Sequence, residues 1–191
     1  MAPSTRSVPQ PLSVERIVDA ACLLVERDGL RGLSMRKLGA HLQVDPMAVY
    51  HHVADKRELL ALVTARTTGA MVPPDPTATW DVRVRQWAMR YWELVVAHRE
   101  LTLAGLADPE IAAGGLPSTE PLLAAIADSG LRADLIEPNA FIVVDAVHGS
   151  ALSVGSPGRP HTNDVDALRA AFEIGIDTIL AGITARTRLR K

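Results

Sequence analysis

The chain has 191 residues, 48% of them hydrophobic, which is enough for one large core or for a small module joined to a larger one. It contains no run of about 18 apolar residues, so the sequence predicts no membrane span. The single cysteine, Cys22, excludes an internal disulfide and provides no metal cluster, and we expect a cytoplasmic protein without a cofactor.

The net charge of −2 is unevenly distributed along the chain. Residues 1–72 carry nine Lys and Arg against seven Asp and Glu, whereas residues 73–191 carry eleven against fifteen. If the protein binds a polyanion, the N-terminal part is therefore better suited to bind it than the rest of the chain.

Helical periodicity runs through nearly every segment, and no segment alternates convincingly like a strand, so the sequence predicts an all-α fold. Residues 1–12 contain three prolines and read as a disordered arm. The first helix is predicted over about 14–27, with Ser13 as its N-cap and Gly29 at its end. The second begins after Ser34, and the turn at residues 43–45 leads to the third, Pro46 to His52. Asp55 caps a fourth helix that reaches about Met71.

The proline-rich stretch VPPDPTAT, residues 72–79, is the best candidate for a domain boundary. We therefore predict two units, a smaller one over 13–72 and a larger helical one over 73–191. Within the second unit the periodicity predicts helices at about 80–98, 99–107, 120–129, 138–154 and 164–185. Loops are predicted at DPEIAAGGLPST and GSPGRPHTN.

The second and third helices, joined by a three- to four-residue turn, match a helix-turn-helix. Val49 and Val53 form one apolar stripe, and the opposite side of the third helix is free to enter a major groove. On this interpretation the residues that meet base edges are Met47, Ala48 and His51. Those that reach backbone phosphates are Tyr50, His52 and Lys56, with added positive charge from Arg36 and Lys37.

Less specific interpretations of the same residues remain open. Tyr50 can pack on the first helix, and Lys37 can be a solvated charge. His51 and His52 are adjacent on a helix, so their side chains point about 100° apart and are poorly placed to chelate a metal.

The stretch GLRGLSMRKLGAHLQVDPMAVYHHVADKRELL, within residues 13–63, resembles the N-terminal domain of the TetR family of one-component repressors. The resemblance implies a three-helix head joined by a fourth helix to a larger helical domain. It also implies phosphate contacts by Tyr50, His52 and Lys56. Contacts to bases or the groove are implied for Arg36, Pro46, Met47, Ala48 and His51.

The remaining residues resemble a TetR-type regulatory domain more loosely. The helix at 80–98 carries Trp87, Tyr91, Trp92 and His98, and such an aromatic face either fills a core or lines a pocket. Phe141, Asp145 and His148 lie on a later helix, and the last two are spaced to pair with each other. The pair could serve the core, an interface or a ligand. We include all seven residues in a candidate ligand site.

The last helix has an apolar stripe, and small residues accompany it there and on the helix before it. Helices at about 138–154 and 164–185 would form a four-helix dimer interface, as the resemblance implies, although burial within one chain is the alternative. A two-fold dimer would present two third helices to a palindrome. The stripe consists of Leu168, Phe172, Ile176, Ile179 and Ile183.

These features predict a homodimeric repressor that binds double-stranded DNA and is released by a small, largely apolar molecule. A transcriptional activator or a ligand-independent DNA-binding protein of the same fold is the alternative. An all-α enzyme is disfavoured because the sequence has no glycine-rich phosphate loop and no metal-ligand spacing. Tetracycline itself is disfavoured as the effector, since the stretch LTLAGLADPE lacks a histidine.

Overall fold

The computed structural model describes residues 11–156 and 164–188, and the part of the chain it describes contains ten α-helices and no strand. The predicted all-α fold, a three-helix head joined by a fourth helix to a larger helical body, is confirmed. In chain order the helices are α1 Val14–Asp28, α2 Met35–Leu42, α3 Pro46–Tyr50, α4 Lys56–Gly69, α5 Trp80–Ala97, α6 Arg99–Ala107, α7 Pro109–Ala113, α8 Glu120–Ala127, α9 Ala133–Ala151 and α10 Val165–Arg188.

The helix starts in the head are set by local capping. Ser13 and Ser34 accept hydrogen bonds from backbone N–H groups in the first turns of α1 and α2. Asp55 accepts two at α4, from the N–H groups of Arg57 and Glu58. The Glu58 carboxylate accepts from the N–H of Ala54 at 2.6 Å, one residue before the cap, where a capping box would have used the cap itself.

The core of the head is formed by apolar side chains of α1 to α4, and two residues of the body complete it. Leu101 of α6 and Ile111 of α7 are both buried against this cluster. Cys22, half-buried on α1, packs at its edge, and burial raises the pKa of its thiol. The two units that the sequence divides at residue 73 therefore share packed side chains across that boundary.

The proline-rich segment between α4 and α5 is held against α5. The Arg90 guanidinium donates to the carbonyl groups of Val72 and Pro73, and the Gln86 side chain accepts from the N–H of Asp75. Pro74 is buried. The segment thus fixes the direction in which the chain leaves α4.

The core of the body is formed by α5, α8, α9 and α10. Trp87 and Trp92 of α5 lie at its centre, and Trp92 stacks on Phe172 of α10 with ring centroids 6.2 Å apart. Each indole N–H has a partner, the Ser118 carbonyl for Trp87 and the Ser150 hydroxyl for Trp92. Large aromatic rings with satisfied N–H groups make this core rigid.

The sequence-based prediction of a loop at residues 108–119 was wrong, because the segment contains α7 and a 3-10 turn, Leu116–Thr119. Asp108 caps α7 by accepting from the N–H of Glu110, and Pro109 takes the first helical position. Burial of Ile111 in the head core stabilises the helix. That contact is distant in sequence, whereas the Asp-Pro and Gly-Gly pairs are local turn signals.

Helix α9 begins five residues earlier than the sequence predicts, at Ala133, and Pro138 lies in its interior. A proline inside a helix removes one backbone hydrogen bond. Leu135 and Ile136 pack against the body core, and this burial offsets the loss. The Asn139 side chain also donates to the Leu135 carbonyl at 2.7 Å.

Two predictions fall mainly on residues whose structure is not described. The disordered arm predicted for 1–12 lies outside the described residues except for its last two positions, and most of the loop GSPGRPHTN also lies outside them. Within the ranges that are described, no helix is both long enough and apolar enough to cross a bilayer.

Candidate nucleic-acid interface and internal cavity

The two helices of the helix-turn-helix meet at a close backbone contact. Gln43, the C-cap of α2, has a left-handed backbone (φ 58°, ψ 39°), and the N–H of Val44 donates to the Gly39 carbonyl at 2.9 Å. A Cβ at Gly39 would lie 3.0 Å from the Val44 carbonyl oxygen and 3.1 Å from the backbone of Pro46. Glycine is needed at this position, and the contact fixes the direction of α3.

Helix α3 is buried on one side and open on the other. Val49 and Val53 are buried completely or nearly so, against the head core. The Met47 side chain is 62% exposed and that of Tyr50 is 42% exposed, although both are large and partly apolar. Helix α3 ends at Tyr50, two residues before the end that the sequence predicts. The outer face of α3, as we define it, consists of Met47 and Tyr50 together with His51 and His52, which directly follow the helix, and all four are exposed. Pro46 and Ala48 are half-buried at its edge.

Three candidate cations for DNA contacts are exposed on the head. Arg36 and Lys37 are exposed in the first turn of α2, and the described part of the chain offers neither a carboxylate within 4 Å. Lys56 is also exposed, but its ammonium donates to the Leu33 carbonyl at 2.8 Å. A phosphate contact by Lys56 would therefore add to that hydrogen bond or replace it.

Arg57, next in sequence, is directed away from the outer face of α3. Its guanidinium binds Asp108 at 2.9 Å and Glu110 at 3.1 Å, both at the start of α7. The hydrogen bond to Glu110 and the charge of Asp108 raise the pKa of Arg57 further above its ordinary value. This pair of contacts ties the first turn of α4 to the body.

A cavity of about 260 Å³ lies where α4, α5, α6 and α9 meet, under the segment from α7 to the 3-10 turn. Most of its wall is apolar. Five of the seven predicted ligand residues line it, namely Tyr91, His98, Phe141, Asp145 and His148. Trp87 and Trp92 do not, since both are buried in the body core, so we leave them out of the candidate site.

The pairing of Asp145 with His148 that the sequence suggests is replaced by another contact. The Tyr91 hydroxyl and the Nε2 atom of His148 are 2.8 Å apart and share a hydrogen bond. Burial lowers the pKa of His148, an effect that the charge of Asp145 partly opposes. Burial also raises the pKa of Tyr91 to about 12. Both groups are therefore uncharged at pH 7.

The sequence did not indicate the contribution of α4 to the cavity. Thr64, Thr67 and Thr68 line one side of it. Each hydroxyl donates to a carbonyl one turn earlier in α4, so these donors are already satisfied within the helix. The threonines follow no apolar period, and only their spacing of three and four residues could have signalled a common face.

The predicted apolar stripe of α10 is divided between the core and the surface. Phe172, Ile176 and Ile183 are buried within the same chain, so for these three burial in one chain is the correct interpretation. Leu168 and Ile179 are half-buried and line a groove between α9 and α10. Gly149 and Gly175 line the same groove, and Ile142, Ile174 and Gly182 of the two helices are exposed as well.

No group of three or more His, Cys, Asp or Glu side chains able to hold a metal ion occurs among the residues described. The cavity in particular brings together two imidazoles and one carboxylate without forming such a group.

Comparison with known proteins places these features in a family. Residues 17–63 match the family model described as bacterial regulatory proteins, tetR family. An HTH-type transcriptional regulator of Saccharopolyspora erythraea is 29% identical over 143 residues, which are 73% of this chain and 61% of that protein. The HTH-type transcriptional repressor DrrR1 of Streptomyces coeruleorubidus is 30% identical over 149 residues, 76% of this chain and 55% of that protein.

The similarity extends through the body as well as the head. The solved structure of SCO7222, a TetR from Streptomyces coelicolor, is 27% identical, superposes with a TM-score of 0.73, and is matched over 91% of this chain and 98% of that one. The chain spans between half and two thirds of the length of the curated relatives above. The head, the connecting helix α4 and the helical body together show that the chain belongs to the TetR family of transcriptional regulators.

Proposed function

We propose that the protein is a DNA-binding transcriptional repressor that leaves its operator when a small molecule occupies the cavity. The observation that carries this proposal is the outer face of α3. Burying large apolar side chains is favourable by roughly 25 cal/mol per Å², yet Met47 and Tyr50 stay exposed beside two histidines. A face that the described part of its own chain leaves open is suited to a groove of duplex DNA.

The proposed roles divide by position on the head. Met47, Ala48 and His51 would face base edges, with Pro46 at the entry to the groove. Tyr50, His52, Lys56, Arg36 and Lys37 would contact phosphates, which set affinity and register but not sequence.

A second copy of the chain would complete the site. Gly149, Gly175 and Gly182 are helix positions at which an added Cβ would meet nothing within 4 Å. Glycine in a helix costs about 1 kcal/mol relative to alanine, and the chain itself offers no steric reason for it there. Close approach of α9 and α10 to their symmetry copies would supply that reason, and Ile174, 69% exposed, would be covered. The dimer would present two copies of α3 to a palindrome.

Gly175→Leu tests this dimer. The leucine fits the single chain, so the fold should persist while the dimer weakens, as sedimentation velocity would show. Gly69→Leu is the matched control, since a Cβ at Gly69 also meets nothing. A Gly175→Leu protein that sediments like the unsubstituted chain would contradict the arrangement.

Helix α4 would couple the cavity to the head. Its first turn holds Arg57, which binds α7, and its later turns present three threonines to the cavity. A ligand that spreads α4 from α6 and α7 would favour a different spacing of the two heads. The coupling free energy needed is about 1–3 kcal/mol. The protein would act in the cytoplasm, without catalysis and without a cofactor.

Selection of bound sites from random duplex DNA by the purified protein tests the function itself. We expect a palindromic site and a specific affinity at least about a thousandfold above that for non-specific DNA. Met47→Ala and His51→Ala should change the preferred bases, whereas Lys56→Ala should weaken binding to all sequences alike. Enrichment of no sequence, or the same uniform loss from both kinds of variant, would contradict the proposal.

A further inference from the structure

The charges that line the cavity are strongly one-sided. Of the nineteen lining residues, Asp145 is the single carboxylate, and none is a lysine or an arginine. The two imidazoles are those of His98, at the end of α5, and His148. An apolar space with one fixed negative charge discriminates between ligands by their charge.

The charge of Asp145 is not neutralised by the described part of the chain. No Lys, Arg or His nitrogen there comes within 4 Å of its carboxylate, and no side chain there donates a hydrogen bond to it. His148, one turn away on α9, is hydrogen-bonded to the Tyr91 hydroxyl instead. Asp145 is exposed and lines the cavity, and its carboxylate is an acceptor without a partner among the described residues.

Two aromatic rings accompany this carboxylate. Phe141 lies four residues before Asp145 on α9, hence on the same side of the helix, and both line the cavity. Tyr91 lines it from α5. Aromatic faces attract organic cations at exposed sites as well as at buried ones, and here Phe141 is 41% exposed while Tyr91 is half-buried. The other end of the cavity, with Leu101, Leu106 and the methyl groups of Thr67 and Thr68, has no charged group.

We propose that the cavity selects an organic amine in its protonated form, with the ammonium group at Asp145 between Phe141 and Tyr91 and the apolar part toward α4 and α6. This deepens the proposed function, on which it rests for the regulatory meaning of binding, although binding itself is measurable without DNA. A carboxylate or phosphate ligand would meet the charge of Asp145 without a compensating cation, and it would be rejected.

Three probes that share one carbon skeleton separate charge from shape, namely phenylbutylamine, phenylbutanol and phenylbutyrate. Each is titrated into the full chain by isothermal calorimetry at pH 7. We expect the amine to bind about tenfold or more tighter than the alcohol, because a hydrogen bond between two charged groups is stronger than one from a neutral hydroxyl. The acid should bind more weakly than the alcohol.

Asp145→Asn should reduce the preference for the amine over the alcohol to near unity while the alcohol's own affinity stays within about twofold. Glu137→Gln, which changes an exposed carboxylate of α9 outside the cavity, is the matched control and should keep the preference. An acid that binds tighter than the amine, an Asp145→Asn protein that keeps the preference, or the absence of binding by all three probes would each overturn the inference.

Operator binding is measured separately, on the protein without any probe. A chain that selects the amine but enriches no DNA sequence would contradict the proposed function and support the inference. A chain that binds a specific operator but fails the three-probe test would support the proposed function and contradict the inference.

Discussion

The carboxylate of Glu100, in the first turn of α6, accepts a hydrogen bond of 2.7 Å from the backbone N–H of Leu30, which lies 70 residues earlier in the head. The same carboxylate lies beside Gly29, where an added Cβ would be 3.1 Å from its Oε2 atom. Through this contact the end of α1 is joined to the helix that forms one wall of the cavity.

Glu100→Ala should therefore loosen the head from the body. We expect the free energy of unfolding to fall by about 1 kcal/mol, because one hydrogen bond to an exposed N–H is lost. Hydrogen exchange of the Leu30 amide should accelerate in proportion. Glu26→Ala removes an exposed carboxylate of α1 that has no ion pair in the described residues, and it should leave that amide unchanged. If the Leu30 amide exchanges at the same rate in both variants, the hydrogen bond from Leu30 to Glu100 does not hold the head to the body.

Arg36→Ala should reduce affinity for operator and non-operator DNA by the same factor. Arg36 is exposed and is not committed to an ion pair within the described ranges, so a phosphate contact is the role we expect for it. Each phosphate contact contributes about 0.9 to the slope of log K against log salt, and the variant should lower that slope by about 1 per head. Fluorescence anisotropy between low and high salt measures this. An unchanged slope with altered base preference would mean that Arg36 reads bases.

Gly39→Ala should destabilise the head and weaken DNA binding together. The added methyl would press on backbone atoms of Val44 and Pro46, which have no side-chain freedom to yield. Overpacking of this kind costs about 1–3 kcal/mol. Gly69→Ala adds the same methyl at an open position and should be neutral or stabilising by up to about 1 kcal/mol. Urea titrations of both variants provide the comparison, and a Gly39→Ala head as stable as the parent would contradict the tight contact.

The stability of the body should depend on pH at both ends of the range through Tyr91 and His148. Between pH 10 and about 12 the unfolded chain loses the tyrosine proton while the folded chain keeps it, so the free energy of unfolding falls as pH rises. The difference between a pKa of 10 and one of about 12 corresponds to about 3 kcal/mol. Tyr91→Phe should flatten that alkaline fall, and denaturant titrations at pH 8 and pH 11 would show whether it does.

Below pH 7 the free energy of unfolding changes with pH in the opposite direction, rising as pH rises. Because burial lowers the pKa of His148, the unfolded chain binds its proton more readily as pH falls through 6.5, and stability decreases. His148→Gln should remove this part of the dependence between pH 7.5 and 5.5. A variant that loses stability on acidification as steeply as the parent would show that the imidazole is not buried.

Much of the fold could be predicted because helix boundaries in the head depend on local chemistry. Ser13 and Asp55 accept backbone hydrogen bonds as the predicted caps, and Ser34 and Asp45 accept them directly before the helices that the sequence starts after them. The failures, the start of α9 at Ala133 and the whole of α7, depend on contacts between residues far apart in the chain. Local signals at Pro138 and at Asp108-Pro109 could not reveal them.

The cavity could be predicted only in part, for a related reason. Trp87 and Tyr91 are one turn apart on α5, and their rings touch with centroids 4.9 Å apart. One nevertheless lies in the core and the other lines the cavity. Helical spacing identifies a shared face, but which part of that face is filled depends on the helices that pack over it. The outer face of α3 was easier to infer, since exposed Met and Tyr on a short helix contradict ordinary burial.

Leu101 and Ile111 complete the core of the head from the far side of the proline-rich segment. A chimera that joins residues 13–72 to another protein's body would have an apolar cavity where those two side chains pack. We expect it to be less stable and less soluble than the parent chain. New operator preferences in this lineage are therefore more accessible through substitutions on the exposed side of α3 than through exchange of whole heads.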